Sequence, residues 1–254
     1  MNGDNDRRLI TSLSRLSVTA PADLMDRITA HWSLVRGPVE DAYVIFTSEG
    51  ISGVVPASTV RDAEAFATIS ARAAGRPLVP AARPPDGVAE ALETGRSSDL
   101  RFDLRGLTPF ERSVLTVTLQ IPPGELRPYG WIAVQIGRPN AVRAVGTALG
   151  HNPIPLLIPC HRVIRTDGDM GEYGFGREMK RRLLDGEGVD VVEVESLVRG
   201  GARFVGFDMT RVVCMPTCRR LQASTDAQCH GFRSVADAVA AGYRPCEACR
   251  PMSR

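Results

Sequence analysis

A cysteine and a histidine stand side by side in an otherwise apolar stretch, Leu156-Leu157-Ile158-Pro159-Cys160-His161-Arg162-Val163-Ile164. The apolar residues predict a β-strand that Pro159 interrupts just before the thiol, because proline lacks a backbone donor. A thiolate is a strong nucleophile, and a nearby imidazole can raise the thiolate fraction at neutral pH. Taken alone, the pair is more typical of a small buried cysteine beside a hydrogen-bonded histidine. Nucleophilic chemistry therefore needs support from the rest of the sequence.

Four more cysteines form two closely spaced pairs near the end of the chain. Three residues separate Cys214 from Cys218, two separate Cys246 from Cys249, and 27 separate the two pairs. Two such pairs around a small folded loop are typical of zinc held by four thiolates. A unit of about 50 residues has too small a core to be stable without its metal. Disulfides are the alternative, which a cytosolic location disfavours.

Length and charge set broad limits. The chain has 254 residues and a formal net charge of +2. This length suffices for two or three compact units with a substantial core. The small positive charge permits nucleic-acid binding without indicating it, so any basic surface must be local. Residues 1–8 are polar and no long apolar run follows them. We therefore expect no signal peptide, no membrane contact and a cytoplasmic location.

Helical apolar spacing dominates the beginning of the chain. It predicts two opening amphipathic helices. Their apolar faces would be formed by Leu9, Leu13 and Leu16, and then by Leu24, Ile28, Trp32 and Val35. No residue of these helices has an arrangement that indicates chemistry, and the helices are predicted to be structural.

A β-hairpin and a further helix are predicted next. Apolar runs at 43–46 and 51–55 flank the turn residues Ser48-Glu49-Gly50. The helix that follows should end at Gly75, a residue that favours helix C-termini. The spacing of Val60, Phe66 and Ile69 fits this helix.

The middle of the chain predicts a helix-turn-helix. Thr108 and Glu111 can form a capping box at the start of a preceding helix. Between 129 and 149 the pattern indicates a helix, a turn at Gly137-Arg138-Pro139 and a second helix capped by Asn140. Such a unit reads DNA in many proteins but is also a common packing device. Small residues would let the second helix approach a groove closely, namely Ala141, Ala144, Gly146 and Ala148.

Residues between 108 and 188 resemble the O6-alkylguanine-DNA alkyltransferases, the suicide repair proteins, in order and spacing. The matching blocks are Pro128-Tyr129-Gly130, Arg143-Ala144-Val145-Gly146, Asn152-Pro153, Pro159-Cys160-His161-Arg162-Val163, Gly171-Glu172-Tyr173, Lys180 and Leu183-Leu184-Asp185-Gly186-Glu187. The resemblance implies irreversible transfer of the alkyl group from O6-alkylguanine in DNA to Cys160, with O4-alkylthymine as a further substrate. It also implies a protein that is consumed after one event.

The same resemblance assigns the residues of the reaction. Cys160 would be the nucleophile of a Cys–water–His–Glu relay, in which His161 takes the thiol proton and Glu187 orients the imidazole. Asn152 would join the helix-turn-helix to the active-site strand through backbone hydrogen bonds. Arg162 would be structural.

The resemblance also implies that the damaged nucleotide is flipped out of the duplex, because O6 of guanine is otherwise inside the base pair. Arg143 would be the finger that fills the vacated space. Contacts with the flipped nucleotide would come from Tyr129, Val163 and Tyr173. A phosphate contact for Arg143 and a core position for Tyr129 are the alternatives. Gly174 replaces a frequent serine of the family, which leaves the range of alkyl groups open.

The C-terminal segment resembles the metal-binding domain of the Ada-type adaptive-response proteins. The shared residues are Asp208-Met209-Thr210-Arg211, Cys214-Met215-Pro216-Thr217-Cys218, Phe232-Arg233-Ser234, Ala241-Gly242-Tyr243-Arg244-Pro245-Cys246 and Cys249-Arg250-Pro251. The resemblance implies one Zn²⁺ bound by Cys214, Cys218, Cys246 and Cys249. It also makes Cys214 a candidate second methyl acceptor, for phosphotriesters. Met215 replaces a usual arginine and the domain follows the alkyltransferase segment, which argues against transcriptional switching.

The sequence thus predicts an α/β (α+β) protein in four segments. These are an N-terminal helical and β domain at 1–100, an alkyltransferase domain at 107–189, a linker at 190–203 and a zinc domain at 204–254. We expect a monomer, associated with the nucleoid, that binds double-stranded DNA with alkylated bases. The alternatives are a damage-sensing protein that binds lesions without alkyl transfer and a zinc-dependent DNA-binding regulator with a vestigial core. Cys160 argues against the first, and its intact partner residues argue against the second.

Overall fold

The computed structural model describes Leu24 and residues 28–222 and 228–251 of the chain. Helices are interspersed with three small sheets, which agrees with the predicted α/β class. The first predicted helix, with Leu9, Leu13 and Leu16, lies outside the described residues. Within the described ranges, no helix is both long and apolar enough to cross a membrane.

A four-stranded sheet organises the N-terminal domain. Its strands are β1 (Ala30–Val35), β2 (Ala42–Thr47), β3 (Gly50–Pro56) and β4 (Leu78–Pro80), in the order β3-β2-β1-β4. Neighbours are antiparallel except β4, which runs parallel to β1. The predicted hairpin is confirmed. Gly50 is required at its turn, since φ is +136° and a Cβ there would lie 2.6 Å from the Arg101 carbonyl oxygen.

The helix predicted to contain Leu24, Ile28, Trp32 and Val35 is wrong over its second half. Trp32 and Val35 lie in β1, which is hydrogen-bonded on both sides, and Ile28 is 48 % exposed. The apolar residues have helical spacing, but strand pairing with the hairpin decides the conformation. Tertiary context of this kind routinely overrides local propensity.

Two helices complete this domain. Helix α1 (Ala63–Ala74) begins at the Asp62 cap and ends at Gly75 in the left-handed conformation, as predicted. Phe66 is buried and its ring stacks on the ring of Tyr43, with the two ring centroids 4.3 Å apart. Phe66 and Ile69 lie in this helix as predicted, with Ile69 60 % exposed, whereas Val60 precedes the helix, so the prediction is wrong for Val60. The sequence did not predict β4 or the short helix α2 (Val88–Thr94).

The central domain begins with α3 (Pro109–Thr118), α4 (Tyr129–Gln135) and α5 (Val142–Gly150). The predicted capping box at Thr108 and Glu111 is present. Helices α4 and α5 form the predicted helix-turn-helix, with Gly137 in the left-handed region. The cap prediction for Asn140 is wrong, because the N-cap residue of α5 is Ala141, one residue later, and it makes no side-chain cap.

The stretch before Cys160 is not a strand, contrary to the prediction. Residues 153–158 form turns and bends, with Leu156 at φ 70°, and Cys160–Arg162 form a single 3₁₀ turn. Leu157 and Ile158 are fully buried, although no strand pairs with them. A short apolar run indicates burial but does not distinguish a strand from a buried turn. Only β6 (Val163–Ile164) is a strand, and it pairs in parallel with β5 (Arg127–Pro128).

The last part of the chain packs against the central domain. Helix α6 (Arg177–Gly186) is followed by α7 (Val191–Arg199), a helix within the segment predicted as a linker. A second sheet, in the order β10-β8-β7-β9, consists of β7 (Phe204–Phe207), β8 (Val212–Cys214), β9 (Cys229–Phe232) and β10 (Arg244–Pro245). The remaining helices are α8 (Arg219–Gln222) and α9 (Val235–Ala240). Ser234 caps α9.

Replacing Thr108 by alanine removes the hydroxyl that accepts from the Glu111 amide, whereas the Thr108 amide still donates to the Glu111 carboxylate. We expect Thr108→Ala to lower the free energy of unfolding by about 1 kcal/mol, because one backbone donor at the helix start loses its partner. Urea unfolding followed by circular dichroism measures the change. Thr108→Ser keeps the hydroxyl and serves as the control. Equal destabilisation by both variants would contradict a capping role.

Candidate active site and metal centre

A cavity of about 460 Å³ separates α5 from the turn that carries Cys160. Its lining includes Tyr129, Gly146, Asn152, Cys160, Tyr173 and Gly174. The volume lies within the range of small-molecule sites, about 300–1,000 Å³. Cys160 is 9 % exposed, so its sulfur lies at the buried end of this cavity rather than on the open surface.

Asn152 holds the cysteine turn against the helix-turn-helix. Its side-chain amide donates to the Ile158 carbonyl at 2.9 Å and to the Cys160 sulfur at 3.2 Å, while its carbonyl oxygen accepts from the Ile154 amide at 3.0 Å. Burial raises the pKa of the Cys160 thiol, although the Asn152 hydrogen bond and the positive charge of Lys180 oppose this effect. The resting thiol is therefore protonated at neutral pH, and a reaction at sulfur requires a base.

His161 and Glu187 form a buried pair next to the cysteine. The His161 Nε2 atom lies 2.9 Å from Glu187 Oε1. Burial lowers the pKa of His161, even though the carboxylate favours the charged ring, so the imidazole is neutral at pH 7. Its second nitrogen, Nδ1, is buried and has no hydrogen-bond partner among the described residues. A neutral, oriented imidazole with one available nitrogen can act as a proton acceptor.

Arg162 fixes the carboxylate of this pair. Its guanidinium donates from Nε and Nη2 to Glu187, with Nη2 at 2.7 Å from Oε1, and from Nη1 to the Ile121 carbonyl at 2.7 Å. Burial alone would raise the pKa of Glu187, but the hydrogen bonds from His161 and Arg162 lower it to about 2. The glutamate is thus ionised throughout the physiological range.

Lys180 and Tyr173 complete the surroundings of the thiol. Lys180 is fully buried, and its ammonium donates to the Val163 carbonyl at 2.6 Å and to the Met170 carbonyl. Burial lowers its pKa to about 8, so it remains mostly charged at pH 7. Burial, followed by the charge of a Cys160 thiolate, raises the pKa of Tyr173 well above its usual value. Tyr173 therefore keeps its proton and can act only as a neutral group.

The four paired cysteines converge in the C-terminal domain. The sulfurs of Cys214, Cys218, Cys246 and Cys249 all lie within 4.8 Å of one another, and all four residues are buried. Tetrahedral zinc with Zn–S bonds of about 2.3 Å places sulfurs about 3.8 Å apart, so the cluster fits such an ion with little contraction. The pKa of Cys214 is raised because its proton is shared with the Cys218 and Cys249 sulfurs. Four thiolates cannot share this space without a cation, and the donor set fits a metal site.

Comparisons with known proteins match two segments of the chain. Residues 109–189 match the family model "6-O-methylguanine DNA methyltransferase, DNA binding domain", and residues 199–252 match "Metal binding domain of Ada". The methylated-DNA–protein-cysteine methyltransferase of Mycobacterium bovis is 54 % identical over 87 residues, which are 34 % of this chain and 52 % of the relative. The match thus spans about half the length of that curated relative.

A solved structure extends the similarity to the N-terminal domain. Mycobacterium tuberculosis OGT, crystallised in complex with DNA, is 31 % identical, with a TM-score of 0.50 over 65 % of this chain and 98 % of that one. The chain belongs to the methylated-DNA–protein-cysteine methyltransferase family. In this chain, a metal-binding domain like that of Ada follows the family's domains.

The structure brings most of the predicted family residues to one place. Tyr129, Asn152, Cys160 and Tyr173 line the cavity, and His161 and Glu187 pair behind it. Arg143 is exposed on α5, one turn from the cavity-lining Gly146. Val163 is different, because its side chain is fully buried outside the cavity lining and its carbonyl accepts from Lys180.

The sequence did not assign roles to Arg162 and Lys180 in the site, although both are buried charges beside it. Arg162 was predicted to be merely structural, and Lys180 was only part of a matching block. One signal was available for the lysine, since Lys180 is the only lysine in a chain whose other basic residues are arginine and histidine. Nothing in the local sequence indicates that Arg162 reaches Glu187.

Removing the charge of Glu187 should destabilise the protein. We expect Glu187→Gln to lower the free energy of unfolding by about 3–5 kcal/mol at pH 7, because buried Arg162 loses its counter-charge. The pKa of Glu187 is lowered from 4.5 to about 2 on folding, so its stabilisation is complete above pH 4.5 and is lost as the pH falls towards 2. The difference in the free energy of unfolding between the wild type and Glu187→Gln should therefore decrease below pH 4.5.

Urea unfolding at a series of pH values measures this difference. Glu172→Gln changes an exposed glutamate at the same cavity and is the control, with an expected change below about 0.5 kcal/mol. A difference that stays constant from pH 7 to pH 3 would exclude ionised Glu187 as the source of the stabilisation.

Proposed function

We propose that this protein repairs alkylated double-stranded DNA by transferring the alkyl group from O6 of guanine irreversibly to Cys160. The observation that carries the proposal is the placement of the thiol. Cys160 faces a cavity lined by the helix-turn-helix, and the His161–Glu187 pair lies directly behind it. A nucleophile, a base and an orienting carboxylate are the components of activated nucleophilic catalysis.

The helix-turn-helix supplies the DNA-binding surface in this proposal. Arg143 is exposed on α5 and stands one turn from Gly146 at the cavity rim. An arginine there is placed to enter the duplex when a nucleotide rotates into the cavity, as chemistry on a paired base requires. Burial raises the pKa of Tyr129, so its hydroxyl keeps its proton and can donate to the flipped nucleotide. The M. tuberculosis relative was crystallised with DNA, which supports the same partner here.

The reaction is a substitution at the alkyl carbon. The Cys160 sulfur forms a bond to this carbon while the bond from carbon to O6 breaks, and the electron pair of that bond stays on guanine. The thiol proton passes through a water molecule to the Nδ1 atom of His161 and is finally taken up by the released guanine. Glu187 stabilises the transient imidazolium. The products are an unmodified guanine and a thioether.

The thioether makes the protein a single-use reagent. A thioether sulfur is a poor leaving group, and none of the described residues around Cys160 could remove its alkyl group. O4-alkylthymine presents the same alkyl–oxygen bond on an aromatic ring, and we include it as a second substrate. All groups of the relay come from one chain, so the proposed active species is a monomer.

For the C-terminal domain we propose that Cys214, Cys218, Cys246 and Cys249 bind one zinc ion. Four converging sulfurs favour a thiophilic tetrahedral ion. When bound, zinc keeps the four cysteines as thiolates and holds together a domain with a small core.

Cys214 is a candidate methyl acceptor from phosphotriesters, and its surroundings favour ligation alone. Its side chain is 1 % exposed and belongs to the same apolar cluster as Trp131 of α4. A backbone phosphotriester would have to reach this sulfur through packed side chains. We therefore propose that Cys214 serves as a ligand and accepts no methyl group in the folded protein.

Cys160→Ala should abolish alkyl transfer while the protein still binds the lesion. Intact-protein and peptide mass after mixing with a duplex containing one O6-methylguanine measures transfer, and gel shift measures binding. Wild type should gain one methyl on Cys160 and the variant none, because the only proposed nucleophile is absent. Cys229→Ser, which changes an exposed cysteine outside both sites, is the control and should gain one methyl.

Other outcomes of the mass measurement would overturn parts of the proposal. Lesion clearance by Cys160→Ala would exclude Cys160 as the nucleophile. Lesion binding by wild type without any mass gain would instead indicate the damage-sensing function. A methyl on Cys214 after mixing with DNA that carries methylphosphotriesters would establish a second acceptor.

Folded, reduced protein should contain one zinc ion per chain. Cys246→Ser should lose it, because a hydroxyl is a far weaker zinc ligand than a thiolate. Elemental analysis after dialysis against metal-free buffer measures the content. Cys229→Ser again serves as the control and should retain the ion. Folded wild-type protein without zinc would refute the proposed metal.

A further inference from the structure

The metal-binding domain contacts one particular segment of the central domain, residues 125–131. The Thr217 hydroxyl accepts a hydrogen bond from the Leu126 amide at 2.7 Å, and the Cys249 carbonyl accepts one from Trp131 Nε1 at 3.1 Å. Thr217 lies between the cysteines at 214 and 218, and Cys249 is itself a member of the cluster. Both acceptors are therefore parts of the loops that would bind the metal.

These contacts are buried and their polar groups are paired. Leu126, Trp131 and Thr217 are each at most 5 % exposed. Between the two contact points, Arg127 pairs with Glu125, and the second oxygen of Glu125 accepts from the Arg219 amide at 3.3 Å. The polar groups of both contacts are paired, although the Nε atom of Arg127 has no hydrogen-bond partner among the described residues. Buried polar groups that are paired between two segments indicate a built interface, since unpaired ones are costly.

The same segment reaches the active site. Strand β5 pairs with β6, which directly follows the Cys160–Arg162 turn. The next residue, Tyr129, begins α4 and lines the cavity in front of Cys160. The segment is thus held by the metal loops at Leu126 and Trp131. The residues between these two points pair with the strand that directly follows the cysteine turn and line the cavity.

We propose that the metal-binding domain positions the 125–131 segment, so that a metal bound by the four cysteines keeps Tyr129 and the Cys160 turn in the reactive arrangement. Thr217 and Trp131 are the positioning residues. Without the ion, the four sulfurs are no longer linked through a common metal. The loops that carry Thr217 and the Cys249 carbonyl can then move apart. Only the kinetic test of this inference, described next, depends on the proposed alkyl transfer.

The kinetic test uses the full-length, zinc-loaded protein. Thr217→Val removes the hydroxyl at nearly constant volume, and Trp131→Phe removes the Nε1 donor while keeping an aromatic ring. We expect each to lower the single-turnover rate of alkyl transfer at saturating duplex by about five-fold, the effect of one hydrogen bond of ordinary strength. Affinity for undamaged duplex should be unchanged, because α5 and Arg143 are not altered.

Two control variants distinguish a loss of positioning from a general destabilisation of the protein. Thr217→Ser keeps a hydroxyl at this position and should transfer the alkyl group at the wild-type rate, unlike Thr217→Val. Arg250→Ala removes an exposed contact between the same two domains, from Arg250 Nη1 to Gln135 Oε1 at 3.2 Å, and should leave the rate unchanged. Wild-type rates in both Thr217→Val and Trp131→Phe, or failure of Thr217→Ser to rescue, would overturn the inference.

A second readout needs no activity. Hydrogen exchange of the peptide covering residues 125–135 should become faster when a chelator removes zinc from the wild-type protein, whereas exchange of α1 should not change. Unchanged exchange at 125–135 after proven metal loss would refute the coupling. A wild-type protein that transfers no alkyl group but shows the faster exchange would refute the proposed function and retain the structural coupling.

Discussion

The proposed active site depends on one buried carboxylate. Glu187 accepts hydrogen bonds from His161, from two nitrogens of Arg162 and from the Gly124 amide at 3.1 Å. Arg162 in turn donates to carbonyls at Ile121 and Gly95. The end of α6, the cysteine turn and two distant loops therefore meet at one group. A buried ion pair adds little stability compared with apolar packing, but breaking it is costly. Its contribution here is a single fixed orientation for the histidine.

Burial has the same consequence for the proposed nucleophile, Cys160, and for the proposed base, His161. It raises the pKa of Cys160 and lowers the pKa of His161, so both groups rest in their neutral forms. A thiolate–imidazolium pair would separate charge in a medium of low dielectric constant, which is unfavourable. Charge separation is then needed only while the substrate reacts. A protonated thiol at the end of a cavity is also protected from adventitious oxidation and alkylation, which suits the single use proposed for this residue.

The metal-binding domain is part of the same structural unit as the site. Its cysteines share an apolar cluster with Trp131 and with the buried residues of α3 and α5. Helix α7 adds a second apolar cluster, in which Val191 and Val194 pack with Leu126 and Leu184. The 125–131 segment is consequently enclosed by the central domain on one side and by C-terminal elements on the other. Such enclosure can limit the motion of a catalytic segment without any group of the added domain touching the substrate.

The sequence by itself determined the local features and the chemistry-bearing residues. The capping box at Thr108, the stop at Gly75 and the β-hairpin depend on neighbouring residues only, and the four cysteines and the Cys160 block were recognisable from spacing. Tertiary structure alone decided what depends on distant partners. Residues 30–35 form a strand because the hairpin pairs with them, and residues 153–158 form turns because they are buried without a neighbouring strand. The roles of Arg162 and Lys180, and the contact from Trp131 to Cys249, join residues that are distant in sequence, and local spacing contains no information about such pairs.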